Sequence, residues 1–202
     1  WTNTTGWSRV SDAGNQVAQG DGNSGAVATW RNAAASDYTF NSRVKITSTN
    51  SVTATSGLIL RSDAGTGGYG PDHNEYYFGI YPGRSQWKLW RVAAGAFGAN
   101  PVASGSQTFS LNQYYTLSVK AVAGALTLYI DGSAKVTYPN TSTYTDPSPY
   151  AYTAIGLRTR NAVAYFDDVR VDAPAPAASS FYRYNAVTGA LSGDGGDEVF
   201  GG

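Results

Sequence analysis

At 202 residues, with 14 Lys and Arg against 14 Asp and Glu, the chain carries no net charge, which argues against a general nucleic-acid or anionic-membrane binder because such partners call for a basic excess. It has no cysteine, so disulfides, thiol catalysis and Cys-ligated metals are excluded. A single domain of this length buries about 70% of its unfolded surface and needs no covalent staple, while low charge with 24 glycines and 15 tyrosines leaves a surface of neutral hydrogen-bonding groups suited to an extracellular β-protein.

The chain starts at Trp1 and contains no methionine, so the expectation is a processed or excised segment. No apolar run approaches the ~20 residues of a membrane-spanning helix, and no signal peptide is visible. Period-two alternation then recurs along the chain. "DYTFNSRVKIT" puts Tyr38, Phe40, Ser42, Val44 and Ile46 on one face, and "SGLILRSD" turns Leu58 and Leu60 inward and Ile59 and Arg61 outward. After a long loop at 63–75, "NEYYFGIYPG" sets Tyr76, Phe78 and Ile80 against Tyr77 and Tyr81. "QWKLWRV" sets Trp87 and Leu89 against Lys88 and Trp90, and "YYTLSVKAV" alternates likewise. "GALTLYIDGSAKVTY" directs Leu126, Leu128 and Ile130 inward and turns at Asp131-Gly132, a strong hairpin signal. A second long loop at 139–153 leads to "AIGLRTR", with Ile155 and Leu157 inward and Arg158 and Arg160 outward. A 3.6-residue apolar stripe is not found. The pattern predicts an all-β, two-sheet antiparallel sandwich or a barrel.

In the last strand, "AVAYFDDVRV", Phe166 shares a face with Asp168, whereas Val169 and Val171 share one with Asp167. The apolar residues are therefore out of phase by one, and a β-bulge at Asp167-Asp168 would return all of them to the core. Unpaired buried carboxylates cost several kcal/mol or more, so the pair must be exposed, matched with a cation or hydrogen-bonded. "APAPAASS" at 173–180 reads as a linker. It separates a domain over 1–172 from a tail at 181–202 that could add an edge strand.

"SGLILRSD", "YYFGIYPG", "QWKLWRV", "YTLSVKAVAGALTLYIDGS" and "AIGLRTRNAVAYFDDVRV", in this order, resemble the concanavalin A-like, laminin-G-like jelly-roll modules of extracellular bacterial carbohydrate-active proteins, over roughly residues 6–172. The resemblance implies a jelly-roll sandwich whose outward residues from four neighbouring strands, Arg61, Tyr77, Tyr81, Lys88, Trp90 and Arg158, gather on one concave face. Aromatic planes would stack on sugar rings and guanidinium groups would pair with carboxylates, so an acidic polysaccharide is the expected ligand. The same residues on any antiparallel sheet can simply stabilise strand pairing. The resemblance also implies a structural calcium at Asp167 and Asp168, completed by Asp12, Asn15, Asp21 and Asn23; the alternative is pairing with an arginine or hydrogen bonding to a turn.

Glycan-cleaving relatives carry Glu-x-Asp-x-Glu on one strand, and that pattern is missing here, so no catalytic residue is assigned. Arg61, His73, Tyr77 and Gln86 could supply lyase chemistry, with His73 expected in a surface loop. "SGDGGDE" in the tail resembles a short run of asparagine synthetases and carries no assignment. Sequons stand at Asn3 and Asn140. The expected molecule is a non-catalytic, extracellular or cell-surface glycan-binding module that does not insert into a membrane. A polysaccharide lyase acting on a uronate-containing glycan is the enzymatic alternative, and a subunit self-associating through residues 181–202 the structural one.

Overall fold

The computed structural model describes residues 5–23, 26–33, 35–63, 73–140, 143 and 145–173. Its strands are β1 (Trp7–Asp12), β2 (Asn15–Asp21), β3 (Ala26–Asn32), β4 (Tyr38–Thr49), β5 (Thr55–Ser62), β6 (Glu75–Tyr81) and β7 (Gln86–Ala93), followed by β8 (Ala96–Phe97), β9 (Ala103–Ser106), β10 (Tyr114–Val122), β11 (Ala125–Ile130), β12 (Ser133–Tyr138), β13 (Ala154–Arg160) and β14 (Ala162–Asp172). One sheet runs β1-β2-β14-β4-β10-β11-β12 and the other β3-β13-β5-β6-β7-β8, with β9 also pairing β7. All pairings are antiparallel. The fold is the expected all-β, two-sheet sandwich.

Alternation builds the core as read. Phe40, Val44 and Ile46 of β4, Leu117 and Val119 of β10, and Leu126, Leu128 and Ile130 of β11 meet Leu58, Leu60, Phe78, Ile80, Leu89, Ile155 and Leu157 of the facing sheet in one apolar cluster. Each such side chain, fully buried, contributes about 1.5–3 kcal/mol. The opposite residues of the second sheet form a smaller cluster of Ala28, Ile59 and Tyr77 with Trp90 and Phe97 packed on it. An outer sheet face that carries its own apolar patch has something to pack against it, or something to bind.

Asp131-Gly132 turns β11 into β12 with both residues at positive φ, as a two-residue hairpin of the right twist requires. Ala13-Gly14, Ala94-Gly95 and Ala123-Gly124 make turns of the same kind. Each places an alanine in the left-handed region without the Asn or Asp that normally announces it.

The bulge predicted in β14 is present. Asp167 pairs with Arg43 and Arg170 with Asn41, so β14 spends one more residue than β4, and Asp168 takes φ 48°. Phe166 is thereby buried while Val169 and Val171 also pack on the core. The linker beyond Ala173, the tail at 181–202, most of the loop at 63–75 and the sequon at Asn3 lie outside the described residues.

A cationic and aromatic groove as the candidate functional site

On the outer face of the second sheet, β13, β5, β6 and β7 lie side by side in that order. They enclose a concavity of about 310 Å³ lined by Thr53, Thr55, Tyr77, Tyr81, Arg84, Lys88, Trp90, Phe97, Arg158 and Arg160. Tyr77, Tyr81, Lys88, Trp90 and Arg158 are thus brought together as the sequence predicts. Gly79 leaves the space for Tyr77 and Thr55, and Gly57 lets the backbone of β6 approach. Gly57 pairs with Gly79, and a Cβ at Gly79 would stand 2.7 Å from the Tyr77 hydroxyl and 2.6 Å from the Thr55 hydroxyl.

The floor is rigid. Tyr77 is fully buried, and its hydroxyl lies 3.0 Å from that of Thr55. The Trp90 indole N–H donates to the Tyr81 hydroxyl at 2.8 Å. The Arg158 guanidinium sits over the Phe97 ring at 4.8 Å and the Tyr77 ring at 5.6 Å, and its Nη1 lies 3.8 Å from Oε1 of fully buried Glu75. The Ser62 hydroxyl donates to the other Glu75 oxygen at 3.2 Å, and His73 Nε2 lies 3.4 Å from Oε1. Glu75 and His73 are therefore buried parts of the groove's foundation, not the loop-edge and surface residues their sequence positions suggest. Lys88 and Trp90 are half-buried on the rim, with the Lys88 ammonium 5.2 Å from the Tyr81 ring and 5.6 Å from that of Trp90.

Electrostatically the lining presents three cations at its surface, Arg84, Lys88 and Arg160, while a fourth, Arg158, has a side chain only 3% exposed and faces the buried Glu75 carboxylate. Burial, together with the Arg84 charge, holds the Lys88 ammonium below its usual pKa of 10.5. Burial pushes both Tyr77 and Tyr81 above the ordinary 10.0, so both hydroxyls stay protonated. A carboxylate or sulfate entering the groove meets positive charge that is held in place and only partly hydrated.

Arg61 is the exception and corrects the expectation. Between Ala154 and Gly156 of β13, β5 advances from Ser62 to Ile59, one residue more, and Arg61 itself takes φ 47°. This irregularity breaks the alternation, so Arg61 leaves the outer face and is 2% exposed, its Nη1 donating to the carbonyls of Gly124 at 2.7 Å and Tyr150 at 3.1 Å. It acts as a strut between loops and not as a ligand-binding residue. Arg84, brought to the rim by the short turn Pro82–Arg84, and Phe97 of β8 join the groove from outside the alternating runs, where periodicity gives no signal.

The carboxylates expected to hold calcium carry cations of the chain's own. Asp167 Oδ2 accepts from Arg43 at 3.3 Å and from Asn15 at 3.1 Å, and Asp168 lies 3.5 Å from the same Arg43 nitrogen. The Asp167 carbonyl freed by the bulge accepts from Ser42 at 3.2 Å. Asp12 takes Lys45 at 2.5 Å and the Tyr114 hydroxyl at 2.7 Å, which hold its carboxyl below the ordinary 3.8. Among the described residues no three His, Asp or Glu side chains gather as a metal site. The donors do not fit a cation that wants six to eight oxygens: calcium would have to displace the Arg43 guanidinium.

Fold and groove together place the molecule in the class of concanavalin A-like jelly-roll sandwiches, the architecture shared by carbohydrate-binding modules and glycoside hydrolases. The sequence model of the 3-keto-alpha-glucoside-1,2-lyase-like domain matches residues 1–172, and the chain belongs to that family. Among solved structures it is similar to the carbohydrate-binding module CBM66 from Bacillus subtilis, with 18% identity, TM-score 0.60, and 83% of this chain and 96% of that one covered. It is also similar to a glycoside hydrolase family 16 endo-glucanase from Bacteroides ovatus, with 13% identity, TM-score 0.56, and 85% and 90% covered. A galectin-like protein of unknown function from Bacillus subtilis superposes at TM-score 0.58 with 12% identity, over 83% and 86% of the two chains. No curated protein matches the chain by sequence.

Proposed function

We propose that the protein is a non-catalytic, extracellular saccharide-binding module whose outer-face groove takes an acidic sugar unit. The observation that carries this reading is the lining of Arg84, Lys88 and Arg160 beside several aromatic rings, with the Glu75 carboxylate buried beneath Arg158. Hydrolysis by paired carboxylates needs an acid and a nucleophile or base about 5 to 9.5 Å apart, and Glu75 is committed beneath Arg158. The extracellular placement rests on the low-charge, hydroxyl-rich surface and on the resemblance to exported modules. Among the described residues no helix is long and apolar enough to cross a membrane.

The family's description favours a second reading, elimination on a 3-keto glucoside. There a base takes the C2 proton, the C1–C2 double bond forms, and the C1–oxygen bond breaks to release an alcohol. Groove cations would stabilise the enolate oxygen. Tyr77 and Tyr81 are held protonated, which weakens them as the base, and His73, the other candidate, is buried against Glu75; both facts put binding first.

Titration of the chain against neutral and uronate-containing oligosaccharides, with ultraviolet absorbance of unsaturated products followed in the same samples and in a 3-keto glucoside control, separates the readings. Salt-sensitive binding of the uronate ligands with no new absorbance is the expected result. Growth of absorbance with either substrate, or equal binding of neutral ligands, overturns it.

A further inference from the structure

A second concavity, of about 390 Å³, lies at the other end of the same strands and is lined by Asn32, Ser62, Asp63, Tyr152, Thr153 and neighbouring backbone. In register, Ala154 faces Asn32 on one side and Ser62 on the other. Alternation along β13 puts Ala154, Gly156, Arg158 and Arg160 on one face, so this hollow and the cationic groove open on the same side of the sheet. Arg158 and Arg160 stand four and six positions along β13 from Ala154, about 13 and 20 Å of strand, and Gly156 between them and Ala154 contributes no side chain.

The chemistry of this end differs from that of the groove. Tyr152 is 41% exposed, and its ring is backed by Tyr150 at 5.7 Å, which in turn packs on Tyr76 at 5.1 Å. Tyr150 is itself fixed, its hydroxyl donating to the Val92 carbonyl at 3.0 Å and its ring lying under the Arg91 guanidinium at 4.1 Å. An exposed ring on a braced stack is preorganised for a flat apolar partner and loses little freedom on binding. Beside it Asp63, oriented by Asn74 at 2.6 and 2.8 Å, presents a carboxylate able to accept hydroxyl protons and to repel an anion.

We infer that this hollow is a second saccharide subsite, for an uncharged sugar ring stacked on Tyr152, and that the ligand is an oligosaccharide with its acidic unit at Lys88 and Arg160 and its neutral unit at Tyr152. The inference rests on the groove binding a saccharide. Calorimetric titration of the chain with a disaccharide and a hexasaccharide of alternating uronate and neutral hexose tests both. The hexasaccharide should bind about tenfold more tightly. Tyr152→Ala should bring the hexasaccharide down to disaccharide affinity and leave the disaccharide unchanged, while Tyr152→Phe keeps the full length dependence. Tyr152→Ala leaving hexasaccharide affinity intact, or weakening both ligands equally, overturns the subsite while the groove stands. Failure of the parent chain to bind either ligand overturns the groove and the subsite with it.

Discussion

Lys88 stands on the groove rim with an ammonium that burial and Arg84 make easier to deprotonate than a free lysine. Below its lowered pKa it contributes a positive charge to any acidic ligand, and that contribution is lost as the pH rises through it. Affinity for a uronate ligand should therefore hold through neutral pH and fall before the ordinary 10.5 is reached; Lys88→Gln should abolish that early fall, as titrations across the alkaline range would show. Trp90→Ala removes a stacking plane and the 2.8 Å bond that orients Tyr81, and a roughly tenfold loss of affinity is expected at little cost in stability. Arg61→Leu gives the opposite outcome: affinity unchanged, but stability lower by about 1–3 kcal/mol in denaturant titration, because two part-buried carbonyls lose a charged donor. Arg43 pairs with Asp167 and Asp168 where a metal was expected. Calcium should leave the melting temperature of the parent chain unmoved, and a rise of several degrees would show that metal displaces the guanidinium.

Among the elements, the loop at 139–153 is held down by Asp146. Its Oδ2 accepts from Tyr76 at 2.5 Å and Tyr138 at 3.3 Å and lies 3.4 Å from Arg91, with the side chain 3% exposed. Tyr150 and Tyr152 ride on that loop, so the anchor positions the platform of the second subsite. Asp146→Ala leaves buried donors without their acceptor and should cost about 1–3 kcal/mol. Amide exchange at Ser148 and Tyr150 should quicken while exchange in β10 and β11 does not. This anchor was not legible in the sequence, since Tyr76 and Asp146 are 70 positions apart and meet only because the chain crosses between sheets. The bulge in β14 was legible, because its phase error could be read within six residues, from Phe166 to Val171.

At the level of the whole molecule, tyrosines set the alkaline limit of the fold. Burial pushes Tyr38 and Tyr138 up to about 12 and raises Tyr76, Tyr77, Tyr81, Tyr114 and Tyr150 as well. Their folded pKa values lie above the unfolded 10.0, so the stability each contributes is fully present below pH 10.0 and is lost as the pH rises through the folded values. Thermal stability should decline steeply above pH 10.0, and a spectroscopic tyrosinate titration should show these residues ionising together with unfolding. Exposed tyrosines titrating alone, with no loss of structure, would contradict this account.

What the sequence by itself determined is whatever depends on local periodicity: the all-β class, the inward residues of β4, β6, β7, β10, β11 and β13, the Asp131-Gly132 hairpin, and the side of its strand on which each of five groove residues stands; that they gather on one face is what the family resemblance implied. Alternation decides which side of a sheet a residue occupies, and it needs no neighbour to do so. Tertiary structure alone decided the rest. One extra residue in β5 took Arg61 out of the groove, a short turn and a two-residue strand delivered Arg84 and Phe97 to it, and the sheet order buried Glu75 under Arg158. Each of these depends on register or on contacts between distant segments, and a carboxylate's partner is set by which strand lies beside it, a relation that periodicity within one strand does not contain.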